Sequence, residues 1–179
     1  MAVFTVIDHT ELTGTTSSWA ESSISASYDH LLLMASIRGA ESAYFNNLWI
    51  RVGNGGLDSG ANYSYTTLTN INSSGPVSSR ATGQTKWAGQ YIGSASTEAD
   101  TFGLVKIWIP YYANSDNYKQ AIVKTVTCDD TTDTNHSALS YVAVMWNQTS
   151  AITDFELSEP NVGMAQYSEF TLYGVTNDA

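Results

Sequence analysis

The sequence predicts an all-β fold, an antiparallel β-sandwich. Ser, Thr, Asn, Gly and Tyr are abundant, whereas the chain has only 3 prolines and 13% charged residues, a composition that suits sheets with polar loops better than helices. Short apolar runs are separated by Gly, Asn, Asp and Ser clusters at intervals of roughly ten residues, which is typical of a sandwich or barrel. No helical pattern connects these runs, which argues against a parallel α/β sheet.

The length of the chain predicts one domain, residues 1–179. A chain of 179 residues can bury roughly 70% of its unfolded surface, which is enough for a core without covalent cross-links. Its 42% hydrophobic and 12% aromatic content supplies the apolar surface that folding needs. Cys128 is the only cysteine, so no disulfide can form within the chain, and we expect Cys128 to be a strand-end residue facing the core.

Apolar alternation predicts where the strands lie. The expected strands are residues 3–8, 22–27, 28–37, 47–52, 64–68, 88–92, 102–109, 120–128, 138–145, 151–157 and 169–175. The stretches 17–27, which overlaps one of these runs, and 70–80 are the loosest and predict loops, and residues 39–44 predict a helical turn. In the last strand, period-2 spacing places Phe170 and Leu172 in the core and Val175 at the strand's end.

Two of these strands are expected to carry large side chains on both faces. The inward residues are Leu48, Ile50, Val52, Val105, Ile107 and Ile109, and the outward residues are Trp49, Arg51, Leu104, Lys106 and Trp108. Outer faces with apolar side chains usually meet another surface. We therefore expect the chain to form a homo-oligomer.

The charge balance excludes two classes of partner. Seven basic and seventeen acidic residues give a net charge of −10, which repels phosphate backbones and disfavours nucleic acid. The longest apolar run, residues 31–35, is far too short to cross a membrane, which takes about twenty residues. We expect neither nucleic acid nor membrane as a partner.

No catalytic residue is expected. The histidines His9, His30 and His136 lie in different segments, and neither a CxxC pair nor a G-x-S-x-G motif is present. Asp154 and Glu156 alternate onto one strand face, as a pair of glycosidase carboxylates would, but a solvated strand face is the favoured interpretation. His30, within an apolar strand, is expected to be a hydrogen-bonded strand residue.

No metal or other cofactor is expected either. The loop 128–135, CDDTTDTN, and the pair Asn54 and Asp58 in GNGGLDSG carry oxygen atoms of the kind that calcium prefers. Neither segment matches the spacing of a calcium-binding loop with its distal Glu. Acidic hairpin tips without a metal are the favoured interpretation.

Aromatic residues are the candidates for contact with a partner. Tyr and Trp combine an apolar body with a polar tip, which suits both subunit interfaces and the stacking of sugars. The candidate interface or glycan contacts are Trp19, Trp49, Trp87, Trp108, Tyr111 and Tyr112. Convergence of Trp19, Trp87, Tyr111 and Tyr112 on one concave surface would indicate a glycan site, and their spread over subunit contacts would indicate an interface.

Three blocks of the sequence resemble small β-structured virion proteins of tailed bacteriophages. The ending at residues 146–175, WNQTSAITDFELSEPNVGMAQYSEFTLYGV, resembles the family's final two strands. Residues 28–39, YDHLLLMASIRG, and 51–68, RVGNGGLDSGANYSYTTL, are similar to two of its strand segments. The chain departs from the family at GLDSG, where a shorter turn is usual.

The resemblance implies a jelly-roll type of sandwich and a non-enzymatic structural protein of the phage virion, made in the host cytoplasm. Because the chain lacks a coiled-coil shaft and fibre repeats, we expect a decoration (cement) protein on the capsid surface. Its partners would be itself, as a homo-oligomer and specifically a trimer, and the major capsid protein. The alternative is a tail-fibre or receptor-binding carbohydrate-binding module that holds a surface glycan.

Overall fold

A computed structural model describes residues 1–72, 75–130 and 136–177, which form twelve β-strands and no helix. The strands are β1 (Ala2–Glu11), β2 (Ser18–Glu21), β3 (His30–Ile37), β4 (Phe45–Gly53), β5 (Tyr63–Ile71), β6 (Pro76–Gln84), β7 (Trp87–Gly93), β8 (Gly103–Pro110), β9 (Lys119–Thr127), β10 (Ala138–Trp146), β11 (Asp154–Ser158) and β12 (Glu169–Asn177). The predicted all-β class is therefore confirmed.

The strands form two sheets. The larger sheet has eight strands in the order β1-β12-β3-β8-β9-β10-β5-β6, and the smaller has four in the order β2-β11-β4-β7. Neighbouring strands are antiparallel throughout. The apolar faces of both sheets contribute to one core cluster, so the fold is an antiparallel β-sandwich.

Strand pairing is nested. β1 pairs with β12 in the larger sheet while β2 pairs with β11 in the smaller, and β3 with β8 in the larger while β4 pairs with β7 in the smaller. The hairpins β5–β6 and β9–β10 widen the larger sheet beyond β8. β7 packs against three of these added strands, β5, β9 and β10, so the added strands also have one face buried.

Alternation along the strands defines the core, as the sequence predicts. Leu48, Ile50 and Val52 of β4 are fully buried, whereas Trp49 and Arg51 between them are half-buried on the other side of the sheet. The same alternation holds in β8, β9 and β10. Each buried aliphatic side chain of this size contributes roughly 1.5–3 kcal/mol through removal from water.

The C-terminal strand is an interior strand of the larger sheet, because β12 lies between the edge strand β1 and β3. Phe170 and Leu172 are fully buried, as predicted, and Phe170 stacks on Trp19 of the smaller sheet with 5.1 Å between ring centroids. Val175 is also buried, but the strand continues to Asn177, which pairs with Ala2 of β1. β12 thus ties the N-terminal strand to the core.

Some local predictions are wrong. Residues 22–27 are not a strand, and β2 lies just before them at residues 18–21. Residues 39–44 do not form the predicted helical turn, because Gly39 makes an isolated β-bridge with Met164 and residues 41–44 form bends. Residues 70–80, predicted as a loop, contain the end of β5 and half of β6. β6 is an edge strand with exposed polar side chains, so its sequence lacks the apolar alternation by which a half-buried strand is recognised.

The prediction for Cys128 is wrong, and the prediction for His30 is confirmed. Cys128 follows the end of β9 and is exposed rather than facing the core, because the buried face of β9 ends at Thr127. His30 is a buried strand residue whose Nδ1 accepts the backbone N–H of Tyr111 at 3.1 Å and whose Nε2 lies 3.0 Å from Nδ2 of Asn177.

Two of the seven cations support loops inside the fold. The Arg38 guanidinium donates to the carbonyl oxygens of four residues between 95 and 101. Lys119 is 1% exposed, and its Nζ donates to the carbonyl oxygens of Asn114 at 2.5 Å, Asn117 at 2.7 Å and Thr149 at 2.8 Å. Burial lowers the pKa of Lys119 from its ordinary value.

Candidate functional site

Two surfaces of the sandwich have the features of a binding site. The first is a groove on the outer side of the smaller sheet, and the second is the outer face of the larger sheet. Both contain side chains that alternate outward from strands whose inward side chains form the core, and loop residues complete the groove. Each surface is therefore fixed to a rigid framework.

The groove owes its shape to the residues that strand pairing places side by side. Ser18, Ser158 and Trp49 form one cross-strand row over β2, β11 and β4, and Ala20, Glu156 and Arg51 form the next. Small side chains on β2 and β11 leave a trough of about 420 Å³ beside the Trp49 ring. Its lining comprises Ser17, Ser18, Trp49, Arg51, Ser59, Thr85, Lys86, Glu156, Ser158, Glu159 and Pro160.

An ion pair forms part of the groove's lining. Nε and Nη2 of Arg51 both contact Oε1 of Glu156, at 2.9 and 2.8 Å. No described residue makes a hydrogen bond to Oε2 of Glu156 or to Nη1 of Arg51. The pair therefore presents one acceptor and one donor group that are free to bind a ligand.

The walls of the groove are also fixed. Lys86, in the turn before β7, places Nζ 3.7 Å from the centroid of the Trp49 ring. At the other wall Glu159 is fully buried, and its carboxylate accepts backbone N–H groups from Asn161 at 3.1 Å, Val162 at 2.9 Å and Gly163 at 2.5 Å. Glu159 thus holds its own loop and is not free to act as a base or a ligand group.

The outer face of the larger sheet lies over β8, β9, β10 and β5. Three cross-strand rows define it: Leu104, Val126 and Leu139; Lys106, Lys124, Tyr141 and Leu68; Trp108, Ile122, Ala143 and Thr66. Several of its apolar side chains are about half exposed, such as Leu68 at 52%, Leu104 at 48% and Leu139 at 52%. A hollow of about 310 Å³ lies at its centre between Trp108 and Tyr141.

The outer face carries no carboxylate. The six adjacent strands β3, β8, β9, β10, β5 and β6 contain no Asp or Glu, although the chain has seventeen acidic residues. Lys106 and Lys124 lie directly opposite each other on this face, an arrangement that is unfavourable by itself. Neither lysine has an ion-pair partner among the described residues, although Nζ of Lys124 lies 4.8 Å from the centroid of the Tyr141 ring.

Three of the six candidate aromatic residues are misassigned as contacts. Trp19, Trp87 and Tyr112 are buried in the core with exposures of 6%, 0% and 0%. Their polar groups donate hydrogen bonds within the protein. The Trp19 indole N–H donates to Asp8 Oδ2 at 3.3 Å, the Trp87 indole N–H to a carbonyl oxygen of β10 at 2.9 Å, and the Tyr112 hydroxyl to the Ser25 carbonyl. Satisfied polar tips allow large aromatic side chains to sit in a core even where the neighbouring sequence is polar.

The other three candidates lie at the surface in two places. Trp49 lines the groove, whereas Trp108 and Tyr111 both contact the His30 ring at one end of β8, with centroid distances of 4.9 and 4.7 Å. Tyr111 is 60% exposed. Trp19, Trp87, Tyr111 and Tyr112 therefore do not converge on one concave surface.

Sequence reasoning missed the site residues that depend on pairing. Glu156 was expected on a solvated face, but it is 8% exposed against Arg51. Leu68, Leu139 and Tyr141 join the outer face through strands β5 and β10. Alternation alone could have marked Leu139 and Tyr141 as outward, but only the sheet order shows that they adjoin β9.

The possible calcium ligands are engaged with protein groups. The Asp58 carboxylate accepts N–H groups from Gly60 and Trp146 at 2.7 Å and from Asn62 at 2.8 Å. Burial by itself would raise the pKa of Asp58, but the three donors outweigh it and hold the pKa below its ordinary value. Asn54 donates to the Ala151 carbonyl at 2.9 Å.

Most of the second acidic segment, residues 131–135, lies outside the described residues. Of its flanks, Asp129 Oδ2 lies 2.9 Å from Nδ1 of His136. Within ranges 1–72, 75–130 and 136–177, no three His, Cys, Asp or Glu side chains are grouped as metal ligands. In the same ranges there is no helix long and apolar enough to span a membrane.

Neither protein-family models nor curated proteins match this chain, so no relative's activity bears on the groove or on the outer face.

Proposed function

We propose that this chain is a non-enzymatic structural protein of a tailed-phage particle, which decorates and cements the capsid surface as a homo-oligomer, expected to be a trimer. The observation that carries the proposal is the carboxylate-free, apolar outer face of the larger sheet. The resemblance of the three sequence blocks to phage virion proteins supplies the setting. The nested strand pairing supports the jelly-roll type of sandwich that the resemblance implies.

The size of the outer face suits a protein interface. Four strands spaced about 4.8 Å apart and about eight residues long, at about 3.4 Å per residue, cover roughly 500 Å². A stable interface buries about 800 Å² on each partner. The outer face thus supplies more than half of what one subunit needs, and neighbouring strands β3 and β6 supply more.

The charge of the outer face suits an acidic partner surface. With a net charge of −10, two copies of the chain repel each other over most of their surface. The outer face is the exception, because within each chain it carries Lys106 beside Lys124 and no carboxylate. It is therefore a positively charged surface on an acidic protein. In a trimer the outer face meets a different surface of the neighbouring copy. Such a surface, if it brings carboxylates to Lys106 and Lys124 and apolar groups to the leucines, would relieve both the charge repulsion and the exposed apolar area.

Cementing needs no chemistry beyond such contacts. Anything that binds the assembled shell more tightly than its separated subunits stabilises the shell by mass action. Trp19, Trp87, Tyr111 and Tyr112, whose convergence would have indicated a receptor-binding module, do not converge, so they lend no support to that alternative as the main function.

One pair of matched variants tests the interface. Leu139→Glu places a charge in the outer face, and Val162→Glu places the same charge in a loop at similar exposure, since the two side chains are 52% and 54% exposed. We expect the wild type and Val162→Glu to sediment as oligomers at micromolar concentration and Leu139→Glu to sediment as a monomer. A monomeric wild type, or identical behaviour of the two variants, would contradict the proposed interface.

Imaging tests the location. Gold-labelled antibody against the chain, applied to purified particles, should decorate heads, and cross-linking should join the chain to the major capsid protein. Label on the tails alone would support the receptor-binding alternative instead.

A further inference from the structure

We propose that the groove on the smaller sheet binds a neutral oligosaccharide, with Trp49 as the stacking surface and the Arg51–Glu156 pair as the polar anchor. This second function is independent of capsid decoration, since the groove and the outer face belong to different sheets.

The shape of the groove fits a chain-like ligand. Its volume of about 420 Å³ lies within the range of about 300–1,000 Å³ that is usual for ligand sites. The trough crosses β2, β11 and β4, and the small side chains of Ser18 and Ser158 line it beside Trp49. An elongated molecule can lie across these strands with one ring against Trp49.

The lining of the groove matches the two kinds of surface that a sugar ring presents. The C–H face of a pyranose is apolar and flat, and the half-buried indole of Trp49 offers an apolar surface of that form once the flexible Lys86 side chain, whose Nζ lies 3.7 Å from the ring centroid, moves aside. The rim of a pyranose carries hydroxyl groups, and the groove is lined by five hydroxyl side chains: Ser17, Ser18, Ser59, Thr85 and Ser158. A hydroxyl group both donates and accepts, so it can pair with a sugar hydroxyl in either sense.

The ion pair adds directional recognition. The free Nη1 group of Arg51 is a donor, and the free Oε2 of Glu156 is an acceptor. Two neighbouring hydroxyls of a sugar can accept from the first and donate to the second. Because the two residues are cross-strand partners joined at 2.9 and 2.8 Å, the donor and the acceptor are pre-organised, which reduces the entropy lost on binding.

Charge favours a neutral ligand. The formal charges of the lining, Arg51 and Lys86 against Glu156 and Glu159, sum to zero. An anionic ligand would gain no net local attraction while it approached a chain of charge −10, which repels it at long range. Phosphorylated ligands and uronic acid polymers are therefore disfavoured.

Calorimetry and saturation-transfer NMR test the proposal with defined probes: the hexasaccharides of glucose in α-1,4 and β-1,4 linkage, of mannose, of xylose and of N-acetylglucosamine. We expect the wild type to bind at least one of them. Trp49→Ala should weaken that binding by about tenfold or more, the effect of losing a central aromatic contact. Glu156→Gln should weaken it less, while Trp108→Ala and Leu139→Glu on the other sheet should bind as the wild type does.

A variant that blocks the groove distinguishes loss of binding from loss of the fold. Ser158→Phe fills the trough beside Trp49 without removing a described hydrogen bond, so it should abolish binding while the circular dichroism spectrum stays unchanged. Three results would overturn the proposal: no binding of any neutral probe by the wild type, binding that survives both Trp49→Ala and Ser158→Phe, or a preference for polygalacturonate over every neutral probe. None of these results depends on where the chain sits in a particle or on its oligomeric state.

Discussion

Replacement of Asp58 by Asn should destabilise the fold at neutral pH. The Asp58 carboxylate joins the turn between β4 and β5 to the end of β10, because it accepts N–H groups from Gly60 and Trp146 at 2.7 Å and from Asn62 at 2.8 Å. An Asn side chain keeps one acceptor oxygen and turns an NH₂ group toward a donor. At least one of the three donors then loses its partner.

The burial of the donors sets the size of the effect. Trp146 is 3% exposed, so its hydrogen bond is the most shielded of the three, whereas Gly60 and Asn62 are only partly buried. A hydrogen bond to a charged group contributes about 1.5–3 kcal/mol, and an exposed one contributes less. Gly60 donates to Oδ1, whereas Trp146 and Asn62 both donate to Oδ2, so an Asn oxygen at the Oδ2 position keeps the Trp146 and Asn62 bonds but without the charge. A hydrogen bond to a neutral group contributes about 0.5–1.5 kcal/mol, so the Trp146 bond loses about 1–1.5 kcal/mol and the other two a few tenths each, which makes a loss of about 1.5–2.5 kcal/mol. For a chain of this length that lowers the melting temperature by roughly 3–10 °C.

The effect should depend on pH. The pKa of Asp58 is held below its ordinary value in the folded state, and that of an unfolded Asp is about 3.9. A carboxylate with a depressed pKa contributes stability that is complete above the unfolded pKa and is lost as the pH falls through the folded pKa. The difference between wild type and Asp58→Asn should thus be constant from neutral pH to about pH 5 and shrink below about pH 4.

Urea unfolding followed by circular dichroism, repeated from pH 7 to pH 3, measures this difference. Asp116→Asn is the matched control, because the Asp116 side chain is exposed and accepts no hydrogen bond from a described residue. The reasoning would be refuted if the two variants were equally stable at pH 7, or if the loss in Asp58→Asn were the same at pH 3.

Further expectations concern a buried cation, a glycine and metal ions. Lys119→Met should cost about 2–4 kcal/mol in urea unfolding, because three backbone carbonyls lose a charged donor, while Lys124→Met on the outer face should cost little. Gly174→Ala should lower the melting temperature, because the added Cβ would overlap the Tyr28 ring. Gly14→Ala is the control and should leave the melting temperature unchanged, because no atom lies within 4 Å of its added Cβ. Equal melting temperatures of the two variants would contradict the described packing. EDTA should leave the melting temperature unchanged, and a shift of several degrees would indicate a metal bound at the acidic loop 128–135.

The core faces of the strands could be predicted from the sequence. Period-2 alternation is a local property, so it identified the inward Leu48, Ile50 and Val52 of β4 and the outward Trp49 without knowledge of any neighbour. It also identified the buried Phe170 and Leu172 of the C-terminal strand. Where alternation is absent, as in the polar edge strand β6, the same reasoning failed.

Polar tips explain why the buried aromatic residues were misassigned. The buried Trp87 donates its indole N–H to a backbone carbonyl of β10, and the buried Tyr112 donates its hydroxyl to the backbone carbonyl of Ser25. A partner of that kind lies far away along the chain, 58 residues from Trp87 and 87 from Tyr112. No pattern in the adjacent sequence indicates it.

The sequence by itself determined the all-β class, the strand faces and the net charge of −10, because composition and alternation need only neighbouring residues. Only the tertiary structure decided which strands lie side by side. Strand order gathers six strands without Asp or Glu into one continuous surface, and strand register sets Glu156 opposite Arg51, 105 residues away. Pairing and register are non-local, and a shift of one residue would turn every side chain of a strand to the other face. Both proposed binding surfaces therefore follow from pairing.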